Sequence, residues 1–152
     1  MGRLTPLIAG RAVAFDSAPL IYYLEAHLDY LPLADELFDA IDQGQARGLT
    51  SVLTLLEVLV KPLREGRLDL ADAYRQLLIN SANLQLHALD ATIGERAAQL
   101  RAQHRWLRTP DAIQIATALE RGADVLVTND GRWKRLGEIE VLVLKDYLTP
   151  TP

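Results

Sequence analysis

The chain contains no cysteine. That absence excludes disulfides, thiolate zinc sites and cysteine nucleophiles together. It fits a reducing compartment, so the sequence predicts an intracellular, cytoplasmic protein. No apolar stretch approaches the ~20 residues that a membrane-spanning helix needs. The opening segment MGRLTPLIAGR lacks the apolar core and small-residue cleavage site of a secretory signal. Residues 1–10 read instead as a lead-in to the first strand. Low-complexity tracts, internal repeats and linker-like segments are missing as well. The 152 residues, 49% of them apolar, therefore predict one domain over 1–152 with a substantial core.

Strong positive charge is also missing. A net charge of -4 and a pI near 5.3 argue, over the whole chain, against a nucleic-acid binder. The local distribution differs. Between 101 and 135 there are seven Lys or Arg (101, 105, 108, 121, 132, 134, 135) against four acids (111, 120, 124, 130). Two basic segments, RAQHRWLR and GRWKR, make this excess. They are either solvated surfaces or a rim that neutralises phosphates.

Short apolar strands alternate with helical patterns. Strands are expected at Arg11–Phe15, Ala46–Leu49, Leu84–Leu89, Val125–Thr128 and Val141–Leu144. The first helix follows Ser17, with Leu20, Ile21, Leu24 and Leu28 on one face. The second starts near Pro32, with a stripe of Tyr30, Leu33, Ala34, Leu37, Phe38 and Ile41. Thr50 or Ser51 caps the third, which bends or ends near Pro62; Asp69 and Asp90 cap the next two. Pro110 opens the last, which Gly122 ends. The pattern predicts an α/β fold, a parallel sheet of about five strands covered on both faces.

Against that frame four acids stand out. Asp16 ends the run AVAFD, Glu57 interrupts VLTLLEVLV, Asp111 opens TPDAIQIATALE and Asp130 closes LVTND. Each has an ordinary reading: a cap for Asp16, a Lys61 ion pair for Glu57, a first-turn anion for Asp111 and a turn for Asp130. Asp16 and Asp130 follow strands, at the sheet edge where ligands of open α/β folds bind. If all four converge, their repulsion, roughly 4 kcal/mol per pair at ~4 Å, calls for a cation. Oxygen donors suit Mg²⁺ or Mn²⁺. The histidines (27, 87, 104) lack metal-ligand spacing; His27 and His87 read as structural or surface residues, and His104 as a member of the basic rim.

These segments resemble a known family. FDSAPLIYYLE, TSVLTLLEVLVKPLREG, TPDAIQIATALERGADVLVTND and the following GRWKRL, in this order, are similar to the PIN-domain ribonucleases, above all the VapC-like toxins of toxin–antitoxin pairs. The resemblance implies a three-layer α/β/α sandwich with strand order 3-2-1-4-5. It implies Mg²⁺- or Mn²⁺-dependent cleavage of RNA, a small antitoxin partner and a homodimer. By position, Asp16, Glu57 and Asp111 match the core metal-binding acids, Asp130 the more variable fourth, and Ser17, Thr128 and Asn129 the polar residues that support them. Arg105, Arg108, Arg132 and Lys134 are the candidate RNA contacts. The sequence departs from the pattern in its long approach to Asp16 and in the residues GRW. Two other readings stay open: a PIN fold that binds RNA or protein without cutting, and a receiver-type domain using Asp90, Thr128 and Lys145.

Overall fold

Burial along the two central strands follows the two-residue period of a sheet with a core on each face. In β1 (Ala12–Phe15), Val13 and Phe15 enter one apolar cluster and Ala14 the other. In β4 (Val125–Thr128), Val125 and Val127 join the first cluster and Leu126 the second. The computed structural model describes residues 2–149. With β2 (Arg47–Ser51), β3 (Leu84–His87) and β5 (Glu140–Val143), the strands make a five-stranded sheet. Its order is β3-β2-β1-β4-β5, with every pairing parallel, as expected.

Helices cover both faces. The first core receives Leu20 of α2 (Ser17–Leu24), Leu37 and Phe38 of α3 (Leu31–Asp42), Val58 of α4 (Val52–Arg64) and Tyr74 and Leu78 of α5 (Leu68–Asn80). α3 approaches the sheet closely at Gly48, where a Cβ would stand 2.7 Å from Ile41 Cδ1. The second core receives Ile93 and Leu100 of α6 (Ala91–Gln103), Ile115 of α7 (Thr109–Glu120) and Trp133 of a 3-10 helix at Gly131–Arg135. α7 ends before Gly122, which takes φ +77, open to glycine at little cost.

Several expectations need correction. The lead-in folds as a short helix, α1 (Thr5–Ile8), which buries Leu4 and Ile8. Its amides had no partner legible in the sequence; Glu36 of α3 supplies it, accepting from Leu4 N at 2.8 Å and Thr5 N at 3.0 Å. α4 ends near Pro62 as expected, at Arg64, since a proline in the last turn forfeits one hydrogen bond without stopping the helix at once. Asp69 lies inside the first turn of α5, whose cap position is Arg67. Leu28 is 92% exposed, since α2 stops at Leu24. Strand ends shift by one or two residues: β3 stops at His87, and β5 starts at Glu140. Ser51 and Asp90 do cap their helices, accepting from Leu53 N and Ile93 N, both at 3.0 Å.

Candidate active site

The parallel topology carries Asp16 and Asp130 to one edge, immediately after the neighbouring strands β1 and β4. Asp16 occupies the cap position of α2, yet its side chain makes no cap hydrogen bond. Its Oδ2 accepts from Thr128 Oγ at 2.7 Å. Its Oδ1 is buried and has no hydrogen-bond partner among the described residues. Burial pushes the Asp16 carboxyl up to about 7, against the Thr128 hydrogen bond and the pull of the nearby Ala18 backbone N–H and with help from the charges of Glu57 and Asp111. Thr128 is fixed in turn, because its hydroxyl accepts from Asp130 N at 3.1 Å.

Glu57 is exposed although it interrupts an apolar run. Its neighbours Leu56 and Val60 are themselves 61% and 43% exposed and do not enclose it. Nor does it pair with Lys61, which approaches Glu25 at 4.0 Å. Glu57 Oε1 instead accepts from Ser17 Oγ at 2.8 Å and from Gln114 Nε2 at 3.2 Å. Gln114, buried on α7, also donates to Thr54 Oγ at 2.9 Å. Thr54 shares a 2.8 Å hydrogen bond with Thr50, whose hydroxyl donates to Phe15 O at 2.6 Å. This buried polar chain ties α4 and α7 to the residue before Asp16. Sequence reasoning missed Gln114, although an amide three residues after Asp111 on an apolar helix was a usable signal.

Asp111 lies in the first turn of α7. Its carboxyl is raised by burial first; Arg108 and Arg132 oppose the shift, while Asp130 and Glu57 add to it. The four acids therefore share one electrostatic neighbourhood. Asp130 is the most committed: Oδ1 accepts from Arg132 N and Nε, both at 3.0 Å, and Oδ2 from Arg132 Nη2 at 2.6 Å. Those Arg132 hydrogen bonds hold its carboxyl below the usual range. Among the described residues no three acids or histidines already stand in a metal-binding arrangement. Hydrogen bonds from Ser17 and Gln114 and the Arg132 clamp occupy the carboxylates instead. The donor set still fits a hard cation, since it is all oxygen and leaves Asp16 Oδ1 buried and unpartnered.

The other candidates fall into place around these acids. The Asn129 side chain hydrogen-bonds to none of them; its Nδ2 donates to the Tyr22 hydroxyl at 3.0 Å and its Oδ1 accepts from Lys145 N at 2.9 Å. Arg132 and Lys134 line a cavity of about 750 Å³ that Asp16 and Asp130 also border. Lys134 is paired with Asp146. Arg105 and Arg108 are exposed ahead of α7. His104 is paired with Glu138 at 3.0 Å. Asp90 caps α6 and is paired with Arg121, at the opposite end of α7 from Asp111. That placement removes the receiver-type reading, which needs Asp90 beside the other acids.

A family model for the PIN domain matches residues 13–139, the segment that holds all four acids. The chain belongs to the PIN domain family. No curated protein matches it in sequence. Solved structures extend the likeness to the whole PIN fold. A VapC toxin of Mycobacterium tuberculosis, described as cleaving the sarcin–ricin loop, superposes with TM-score 0.69 at 19% identity, covering 85% of this chain and 98% of the toxin. A toxin–antitoxin complex from Klebsiella pneumoniae gives 0.65 at 22%, over 86% of this chain and 96% of that one. A VapBC complex from Rickettsia felis, bound to a promoter DNA fragment, gives 0.64 at 16%, over 87% and 98%. At these identities the likeness is one of fold.

Proposed function

We propose that this PIN domain, taken as one unit over 1–152, is a metal-dependent endoribonuclease and the toxin of a toxin–antitoxin pair. The observation that carries the reading is the convergence of Asp16, Glu57 and Asp111 from three separate elements, with the buried Asp16 Oδ1 left unpartnered. These three carboxylates would hold Mg²⁺ or Mn²⁺, and Asp130 would join them on leaving Arg132. Such an ion, when bound, supplies an activated water and offsets charge on the phosphodiester.

The chain's own residues do the rest. Thr128 aims Asp16, and Ser17 and Gln114 aim Glu57. Arg105 and Arg108 offer their charge to backbone phosphates, joined by Arg132 and Lys134 once these leave Asp130 and Asp146. Asn129 serves as a strut behind them. The reading also brings a small antitoxin, a second copy of the chain and a cytoplasmic setting. Leu56, Val60 and Leu63 on α4, 61%, 43% and 48% exposed, offer apolar surface for a protein partner. Among the described residues, no helix is long and apolar enough to cross a membrane.

The test is RNA cleavage with Mg²⁺ or Mn²⁺, followed by mapping of the ends. The wild-type protein is expected to leave 5′-phosphate and 3′-hydroxyl termini. Asp16→Asn and Asp111→Asn are expected to lose at least a hundredfold in rate, about 2.7 kcal/mol of transition-state stabilisation. Full activity in well-folded variants would defeat the assignment.

A further inference from the structure

The cavity beside Asp16 carries more positive charge than its acids use. Its lining includes the cations Arg132, Lys134, Arg135 and Lys145 and the acids Asp16 and Asp130, an excess of two positive charges in a chain whose net charge is -4. Arg132 is spent on Asp130 and Lys134 on Asp146. Arg135 and Lys145 have no carboxylate within 4.0 Å among the described residues.

Both uncommitted cations are positioned by their surroundings. Lys145 follows β5, and its N–H is tied to Asn129, the residue after β4. The same Asn129 amide holds Tyr22 of α2 in the cavity wall. The Lys145 side chain lies back across the loop at Gly131. A Cβ there would stand 2.9 Å from Lys145 Nζ and 3.3 Å from its Cε, so the absent side chain leaves the ammonium its place. Arg135 rests over Trp106, its guanidinium carbon 5.9 Å from the ring centroid. A guanidinium held by an aromatic face keeps its N–H edge for an anion.

We propose that Lys145 and Arg135 form a phosphate subsite, beside the carboxylates in the same cavity, for the backbone phosphate of a nucleotide flanking the cut bond. The proposal rests on the reading of the acids as an RNA-cleaving centre. A strand approaching carboxylates is repelled unless cations beside them take its charge. A compact ammonium and a planar fork supply complementary donors to phosphate oxygens.

The experiment measures binding of a fluorescent single-stranded RNA across a salt series, in the Asp16→Asn background so that nothing is cut. Lys145→Gln and Arg135→Gln are each expected to weaken binding about 5- to 30-fold at low salt. Each should also reduce the slope of log affinity against log salt by about 0.7. Lys145→Arg should retain most of the affinity. Arg47→Gln, at the start of β2 on the opposite edge, should change it less than twofold. In cleavage assays of the otherwise wild-type protein, Lys145→Gln should raise KM and leave kcat within about threefold. An unchanged slope and KM, or a loss confined to kcat, would overturn the subsite and place Lys145 in support of Asp130. Absence of any RNA binding or cleavage by the parent proteins would overturn the nuclease reading and the subsite together.

Discussion

A buried carboxyl group resists ionisation, and burial pushes Asp16 up to about 7 even against its Thr128 hydrogen bond. Between about 4 and 7 the folded state keeps a proton that the unfolded chain has released. Stability from this group therefore falls as pH rises through that window and is fully lost above it. With chelator present, Asp16→Asn should be more stable than the parent at pH 8, by about 2–4 kcal/mol, and the advantage should vanish near pH 4. Chemical denaturation at both pH values checks it; a variant less stable at pH 8 would mean that Asp16 is a structural anion. At this scale the sequence was legible where polarity was out of place. Asp16 and Asp111 ended or opened apolar runs, and both feel the other acids. Glu57 interrupts an apolar run without being enclosed by it, because its apolar neighbours are exposed. The Gln114 hydrogen bond to Glu57 and the Arg132 clamp on Asp130 have no local signature. Each depends on a partner distant in sequence or on a loop conformation, which no local pattern encodes.

Elements were legible where one chain segment settles its own fate. The Ser51 and Asp90 caps and the Pro110 start need only sequence neighbours to form, and the Val125–Thr128 strand announces itself by its apolar run. α1 needs a tertiary partner, which is why residues 1–10 read as a lead-in. Four residues are too few to hold a helix alone. The Glu36 carboxylate provides the missing acceptor for the amides of Leu4 and Thr5 and for the Thr5 hydroxyl. Burial alone would raise its pKa; these hydrogen bonds bring it below the ordinary value. Its contribution is therefore present above the unfolded pKa and lost as pH falls through the folded one. Glu36→Ala should cost about 1–3 kcal/mol at pH 7, with the deficit shrinking in acid. Denaturant midpoints across pH measure this, and an unchanged midpoint at pH 7 would show that α1 docks through Leu4 and Ile8 alone. The exact strand ends are beyond local reading, because packing against neighbouring elements sets them.

For the whole molecule, the parallel order β3-β2-β1-β4-β5 sets the function within reach. It puts the ends of β1 and β4 side by side and brings α4 and α7 over the same edge through the Thr54–Gln114 contact. Acids spread over more than a hundred residues thereby share one field. The alternation of strands and helices made this architecture legible, and the resemblance supplied the strand order. The arrangement within the site was not legible, because arginine, serine and glutamine compete for the carboxylates. Calorimetric titration of the RNA-free protein with Mn²⁺ decides whether these carboxylates form one divalent-metal site. The wild type should bind Mn²⁺ and gain thermal stability with it, as any ligand of the folded state confers. Asp16→Asn, Glu57→Gln and Asp111→Asn should each weaken binding at least tenfold, while Asp90→Asn, whose carboxylate caps α6, should leave it unchanged. Equal Mn²⁺ affinity in the wild type and the three site variants would rule out a shared carboxylate site.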